Sequence, residues 1–189
     1  MRFKTRFFRF FAVAGLVAGG LLGASSASAQ TGGTVAPGSS VAPATAGPVG
    51  KAKLLPNGKA VAPAGAPAAV VNAIAAGNRI RKKPYVYGGG HQSFEDEGYD
   101  CSGAVSYVLN AAGMLSSPLP SGPMMSWGEP GKGAWISVFA KGSHAYAVIA
   151  GLRWDTSAVG EPVRSGSGPR WRRTKRKPTG YAVRHYPGF

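Results

Sequence analysis

The chain has 189 residues, with 22 Lys and Arg against 7 Asp and Glu and a formal net charge of +15. That length suits one domain of ordinary size with extra segments, and the charge favours polyanionic partners. A single cysteine, Cys101, excludes an internal disulfide framework.

At the N-terminus, Arg2, Lys4, Arg6 and Arg9 precede an apolar run from Phe10 to Leu22, and Ala27-Ser28-Ala29 has the small-x-small form of a cleavage site. This order predicts a secretory signal over residues 1–29, cut after Ala29, because the apolar run is too short and Gly-rich for a membrane span. The predicted localisation is therefore outside the cell or in its envelope. Loss of the four basic signal residues would bring the charge from +15 to +11. Export makes anionic lipid or acidic wall polymer a better partner than nucleic acid. Residues 30–66 are Gly-, Ala- and Pro-rich with no aromatic side chain, and predict a flexible linker.

A folded domain is predicted over 67–189. Pro67 to Ile80 reads as a helix with Val70, Val71, Ile74 and Ala75 on its apolar face. Pro84 to Gly90 ("PYVYGGG") reads as a short strand-like piece entering a glycine turn, and His91 to Tyr99 as a polar loop carrying Glu95, Asp96 and Glu97. Asp100 to Gly113 predicts a second helix, with Asp100 as N-cap, Gly113 just past its end, and Ala104, Val105, Val108, Leu109 and Ala112 facing the core. Met114 to Gly133 reads as a long loop. Strands are predicted at 134–140, 144–150, after the turn at Ala150-Gly151-Leu152, and at 179–186. Helices followed by mainly antiparallel strands make this an α+β domain. Trp127, Trp135 and Trp154 are expected in the core or a groove wall.

An unpaired cysteine in an exported chain is either inert and buried or kept as a thiol for chemistry. Cys101 falls in the first turn of a predicted helix, where unpaired N–H groups and the dipole favour a thiolate. Asp100 opposes this by its charge, so a base is needed, and His144 at the start of a strand is the candidate. Its second ring nitrogen needs a holder. A two-residue turn at Ala150-Gly151 sets Asp155 opposite Tyr146, one diagonal step from His144. His185, alternating with Tyr181 and Val183, is the other candidate for that place. His91 reads as a loop histidine near the cleft. Three scattered histidines and one cysteine show no metal-ligand spacing.

Three segments resemble signature blocks of the NlpC family of papain-like cell-wall cysteine peptidases: "PYVYGGG" at 84–90, "YDCSGAVSYVL" at 99–109 and "GSHAYAVIAGLRWDTS" at 142–157. The resemblance implies a papain-like fold in which helices, one bearing the nucleophile at its N-terminus, pack on a mainly antiparallel sheet. It implies Cys101 as nucleophile, His144 as base, Asp155 in the third polar place (a departure, since the family more often has a second His there), and Tyr85 polarising the scissile carbonyl. Asp100 and Ser102 would hold the amine and backbone of a peptidoglycan stem peptide, cut at the D-Glu–diamino acid bond, with no cofactor. The loop 90–99 looks longer than in many relatives. Alternatives are a non-catalytic cationic wall-binding protein on the same fold and an acyltransferase or transpeptidase using the same Cys-His pair. The basic run Arg170–Lys177 reads first as a solvated loop and second as a binding segment for anionic wall polymer or membrane. No nucleic-acid motif accompanies it, and a monomer is expected.

Overall fold

The computed structural model describes residues 50–162 and 166–189, all within one unit spanning 39–189. The predicted signal (1–29), the first part of the predicted linker (30–49) and residues 163–165 lie outside the described residues.

The elements in chain order are β1 (Lys53–Leu54), β2 (Ala60–Val61), α1 (Ala68–Ile80), α2 (Cys101–Ala111), α3 (Ser121–Met124), β3 (Glu129–Pro130), β4 (Ile136–Lys141), β5 (His144–Ile149), β6 (Leu152–Asp155), β7 (Arg170–Arg172) and β8 (Ala182–His185). The strands β3 to β8 form one sheet in the order β3-β8-β4-β5-β6-β7, every pair antiparallel. The α+β class and the helix-then-strand order match the expectation. The short elements α3 and β3 lie where a loop was predicted, and the piece at 84–90 pairs only through one bridge, Tyr85 to Tyr99.

The core lies between α1, α2 and one face of the sheet. Ile136, Val138 and Ala140 of β4 and Ala145, Ala147 and Ile149 of β5 are completely buried, as alternation demands of the covered face. Nearly all of α2 is buried, including four of the predicted core positions, and the fifth, Ala112, is buried just past its end. On α1 the buried stripe runs through Val70, Ala73, Ile74, Gly77 and Ile80, so it is rotated from the predicted one, and Val71 is exposed. The rotation follows from small residues: Trp171 packs on Gly77, where any Cβ would collide with the indole ring. Trp154 packs against Trp171 at a tilt of 50°, ring centroids 4.7 Å apart, and its Nε1–H donates to the Ala104 carbonyl of α2 at 2.9 Å. One indole thus joins the sheet to the helix that carries Cys101.

The linker prediction fails over 50–66. β1 and β2 form a small hairpin, and Ala60 is buried. Asn78 of α1 exchanges two hydrogen bonds with the Ala60 backbone, both 2.8 Å, and the Ala52 N–H donates to the Ala150 carbonyl at 2.9 Å. Composition missed this because two-residue strands have no apolar period. Backbone bonds and one asparagine hold the hairpin, and only scattered small side chains, Ala52 and Ala60 with Leu54 beside them, pack on the core.

The β5–β6 connection sets the register on which the site depends. Ala150 and Gly151 both have positive φ, 46° and 79°, as a two-residue hairpin matched to the strand twist requires. The left-handed conformation costs an alanine about 1–2 kcal/mol. Two backbone bonds hold it there, one to the Trp135 carbonyl at 2.8 Å and one from Ala52. The resulting register pairs Ala147 with Trp154.

Candidate active site

Cys101 is the first residue of α2. The Asp100 side chain caps the helix by accepting the Gly103 N–H at 2.8 Å. The glycine turn lies directly against this first helical turn: Asp100 N–H donates to the Gly89 carbonyl at 3.1 Å, and a Cβ on Gly103 would overlap that carbonyl oxygen. The contact therefore needs glycine at 103, and position 89 needs it as well because a Cβ there would overlap the Gly98 carbonyl.

The Cys101 thiol meets the start of β5. Burial pushes its pKa up, but hydrogen bonds from the His144 side chain and the Ala145 N–H, together with the imidazole charge, outweigh burial and the Asp100 charge and bring it down. The reciprocal holds for His144. Burial opposes its charged form, yet the bonds to Asp155 and Cys101 raise its pKa overall.

His144 Nε2 lies 2.9 Å from Asp155 Oδ1, which leaves Nδ1 for the thiol. Asp155 is 2% exposed, a costly place for a carboxylate without partners. Besides the imidazole it accepts the Ser157 N–H at 2.8 Å and Arg176 Nη1 at 3.1 Å. Burial raises the carboxyl pKa, and these partners lower it further than burial raises it. With the Nε2 proton donated to Asp155, Arg176 Nη1 at 3.3 Å from Nε2 is a cationic neighbour and not a hydrogen-bond partner. Cys101, His144 and Asp155 thus form one hydrogen-bonded row at the junction of α2, β5 and β6. Such a row can hold a thiolate against an imidazolium whose tautomer is set by the carboxylate.

Rv1477, a hypothetical invasion protein of Mycobacterium tuberculosis, is similar in structure, with 22% identity over 61% of each chain and a TM-score of 0.43. Two mutated forms of the Resuscitation Promoting Factor Interacting protein RipA are 21% and 22% identical over 62% of each chain, with TM-scores of 0.43 and 0.44. The chain covers less than two thirds of the length of these solved chains. No protein-family model matches it, and neither does any curated protein.

The remaining expected site residues surround the row. Tyr85 is brought alongside by the Tyr99 N–H bond to the Pro84 carbonyl and the Val86 N–H bond to the Tyr99 carbonyl. The residue is 43% exposed, and burial, then the charges of Cys101 and Asp100, raise the phenol pKa, so its O–H stays a donor. Asp100 and Ser102 are buried and engaged with each other. Asp100 Oδ1 also lies 3.0 Å from His91 Nε2, and Oδ2 accepts the Gly88 N–H at 3.2 Å. Ser102 Oγ is 3.1 Å from the same His91 nitrogen.

His185 is not in the row: it lies on β8 with Glu129 at 3.4 Å and the Gly131 carbonyl at 3.3 Å. In the acidic loop, Glu95 Oε1 accepts the Tyr107 O–H at 3.2 Å and Asp96 Oδ2 accepts the Gly90 N–H at 2.8 Å. Those two carboxylates therefore brace the loop.

The solvated-loop reading of Arg170–Lys177 is corrected. Arg170 to Arg172 are β7, and Arg172 is buried, donating to Glu161 at 2.9 Å and to the Asp155 carbonyl at 3.0 Å. Arg176 reaches Asp155, its guanidinium 5.6 Å and 5.5 Å from the ring centres of Tyr146 and Tyr181. Arg176 is the neighbour of the row that sequence reasoning missed, while His91 lies near the cleft as expected, bonded to Asp100 and Ser102. Only Trp171, an aromatic inside a basic run, hinted that part of that run is packed.

Proposed function

We propose that the protein is an exported cysteine endopeptidase of the NlpC kind that hydrolyses peptidoglycan stem peptides at the D-Glu–diamino acid bond. The observation that carries the chemistry is the row Cys101–His144–Asp155, with the thiol pKa lowered and the imidazole pKa raised. The three sequence blocks support the substrate class, and the N-terminal 1–29 pattern supports export.

In this reading the Cys101 thiolate attacks the scissile carbonyl carbon, and the electron pair of the C=O bond moves to oxygen. The Cys101 N–H in the first helical turn and the Tyr85 O–H donate to that oxyanion. The tetrahedral adduct collapses, the C–N bond breaks, and the His144 imidazolium gives its proton to the departing amine. Water then adds to the thioester, losing a proton to His144, and the acid leaves as the thiol is restored. Asp155 keeps the Nε2–H tautomer throughout, and Arg176 keeps Asp155 ionised. Asp100 and Ser102 hold the free amine and backbone of the stem peptide, giving up part of their bonds to each other and to His91.

Mass spectrometry of purified cell wall digested with the wild type and with Cys101→Ala tests this. Fragments cut between D-Glu and the diamino acid are expected from the wild type only, and equal release by the variant overturns the reading. Salt-sensitive wall binding by both proteins, with no cleavage by either, would indicate a cationic binding protein. Conjugates with an added amine in place of free acid would indicate acyl transfer.

A further inference from the structure

The sheet face turned away from the helices carries a cavity of about 290 Å³. Its floor is built from side chains that the strand register brings side by side: Ser137 and Phe139 of β4, Tyr146 and Val148 of β5, and Arg153 of β6. Phe139 and Tyr146 stack face to face, ring centroids 4.6 Å apart. Six cations line the cavity from separate parts of the chain: Lys51, Lys132, Arg153, Arg173, Lys175 and Arg176.

Arg153 is the member that a merely basic surface does not explain. Its side chain is 2% exposed, and among the described residues its Nε and Nη1 have no hydrogen-bond partner. Only Nη2 is used, donating to the Val159 carbonyl at 3.0 Å. Two carboxylates balance its charge at ion-pair distance but do not hydrogen-bond those nitrogens, and each is bonded to another arginine. Asp155 Oδ2 is 3.7 Å from Nε and accepts Arg176 at 3.1 Å, while Glu161 is 3.8 Å from Nη2 and accepts Arg172 at 2.9 Å. A buried guanidinium with two unused donor nitrogens is expensive unless an anion completes it.

We propose that this cavity binds a phosphate-bearing ligand, with Arg153 at its base and Arg173, Lys175, Lys51 and Lys132 around its rim. Phosphate is the chemistry that fits: several acceptor oxygens and more than one negative charge match converging guanidinium and ammonium donors. The phosphodiester of a wall polymer and the headgroup of an anionic lipid share it. The proposal is independent of the thiol chemistry, although Arg176 belongs to both sites.

Calorimetric titration with inorganic pyrophosphate, on the whole chain, tests the site. One saturable site is expected, weakened about tenfold or more by Arg153→Gln. The double variant Arg173→Ala/Lys175→Ala alters only exposed side chains, so it keeps the test valid if the buried variant misfolds, and a similar loss is expected. Lys59→Ala/Lys82→Ala, with the same charge change outside the cavity, is expected to bind like the wild type. No saturable binding, or an equal loss in that control, overturns the proposal. Poly(glycerol phosphate) and phosphatidylglycerol vesicles, titrated in parallel, tell the sources apart: the probe whose binding falls in Arg173→Ala/Lys175→Ala identifies the ligand. Binding of both probes unchanged in that variant counts against the cavity.

Discussion

Two histidine–carboxylate pairs flank Cys101, and they are built differently. His91 and Asp100 belong to the glycine turn and the helix cap, nine residues apart, with Nε2 3.0 Å from the carboxylate. His144 and Asp155 belong to two neighbouring strands, eleven residues apart, at 2.9 Å. The distances differ by only 0.1 Å, but the wiring is not alike. His91 spends one nitrogen on both Asp100 and Ser102, and Asp100 spends its oxygens on the backbone N–H groups of Gly88 and Gly103. That pair closes a loop onto a helix end. His144 gives Nε2 to Asp155 and keeps its other nitrogen for the thiol, while Ser157 and Arg176 hold the carboxylate from behind. A His–Asp contact therefore says little by itself; what the second imidazole nitrogen meets decides whether the pair can do chemistry.

The sharpest way to break this comparison is to remove each imidazole in turn. His144→Ala is expected to reduce turnover by about 10²- to 10⁴-fold. It should also slow iodoacetamide labelling of Cys101 at pH 6 by on the order of 10²-fold, since an unpaired thiol has a pKa near 8.5. His91→Ala should leave the pH dependence of labelling unchanged, and equal losses in the two variants would erase the distinction.

Asp155→Asn tests the middle of the row. The ion pair exists from the lowered thiol pKa up to the raised imidazole pKa. Removing the carboxylate charge disfavours the imidazolium, so the alkaline limb of kcat/KM should fall toward about pH 6.5. The weaker imidazolium should in turn move the acid limb up. A narrower bell, with activity down about 10- to 100-fold at its top, is expected; an unmoved alkaline limb would show that Asp155 does not act on His144. The smallest effect sharpens the structural side. His91→Gln keeps one donor near Asp100, so thermal unfolding should report a loss of about 1 kcal/mol or less, with the labelling profile unchanged.

Local chemistry was legible from the residues alone: a helix start capped by Asp100 with Cys101 in its first turn, apolar positions that fill α2, alternating strands, and a two-residue turn that sets Asp155 beside His144. These are short-range matters of period, capping and turn geometry, and they depend on neighbours a few residues away. The sequence did not show which polar side chains would be buried. Arg172 and Arg176 sit in a run that composition marks as solvated, and their places depend on Glu161 and Asp155, 11 and 21 residues distant. The hairpin at 53–61 was invisible for a similar reason, since its anchor, Asn78, lies on a helix 18 residues from Ala60. Periodicity reports how a segment meets a core. The fate of a charge depends on which opposite charge the fold brings to it, and here only tertiary structure decided that.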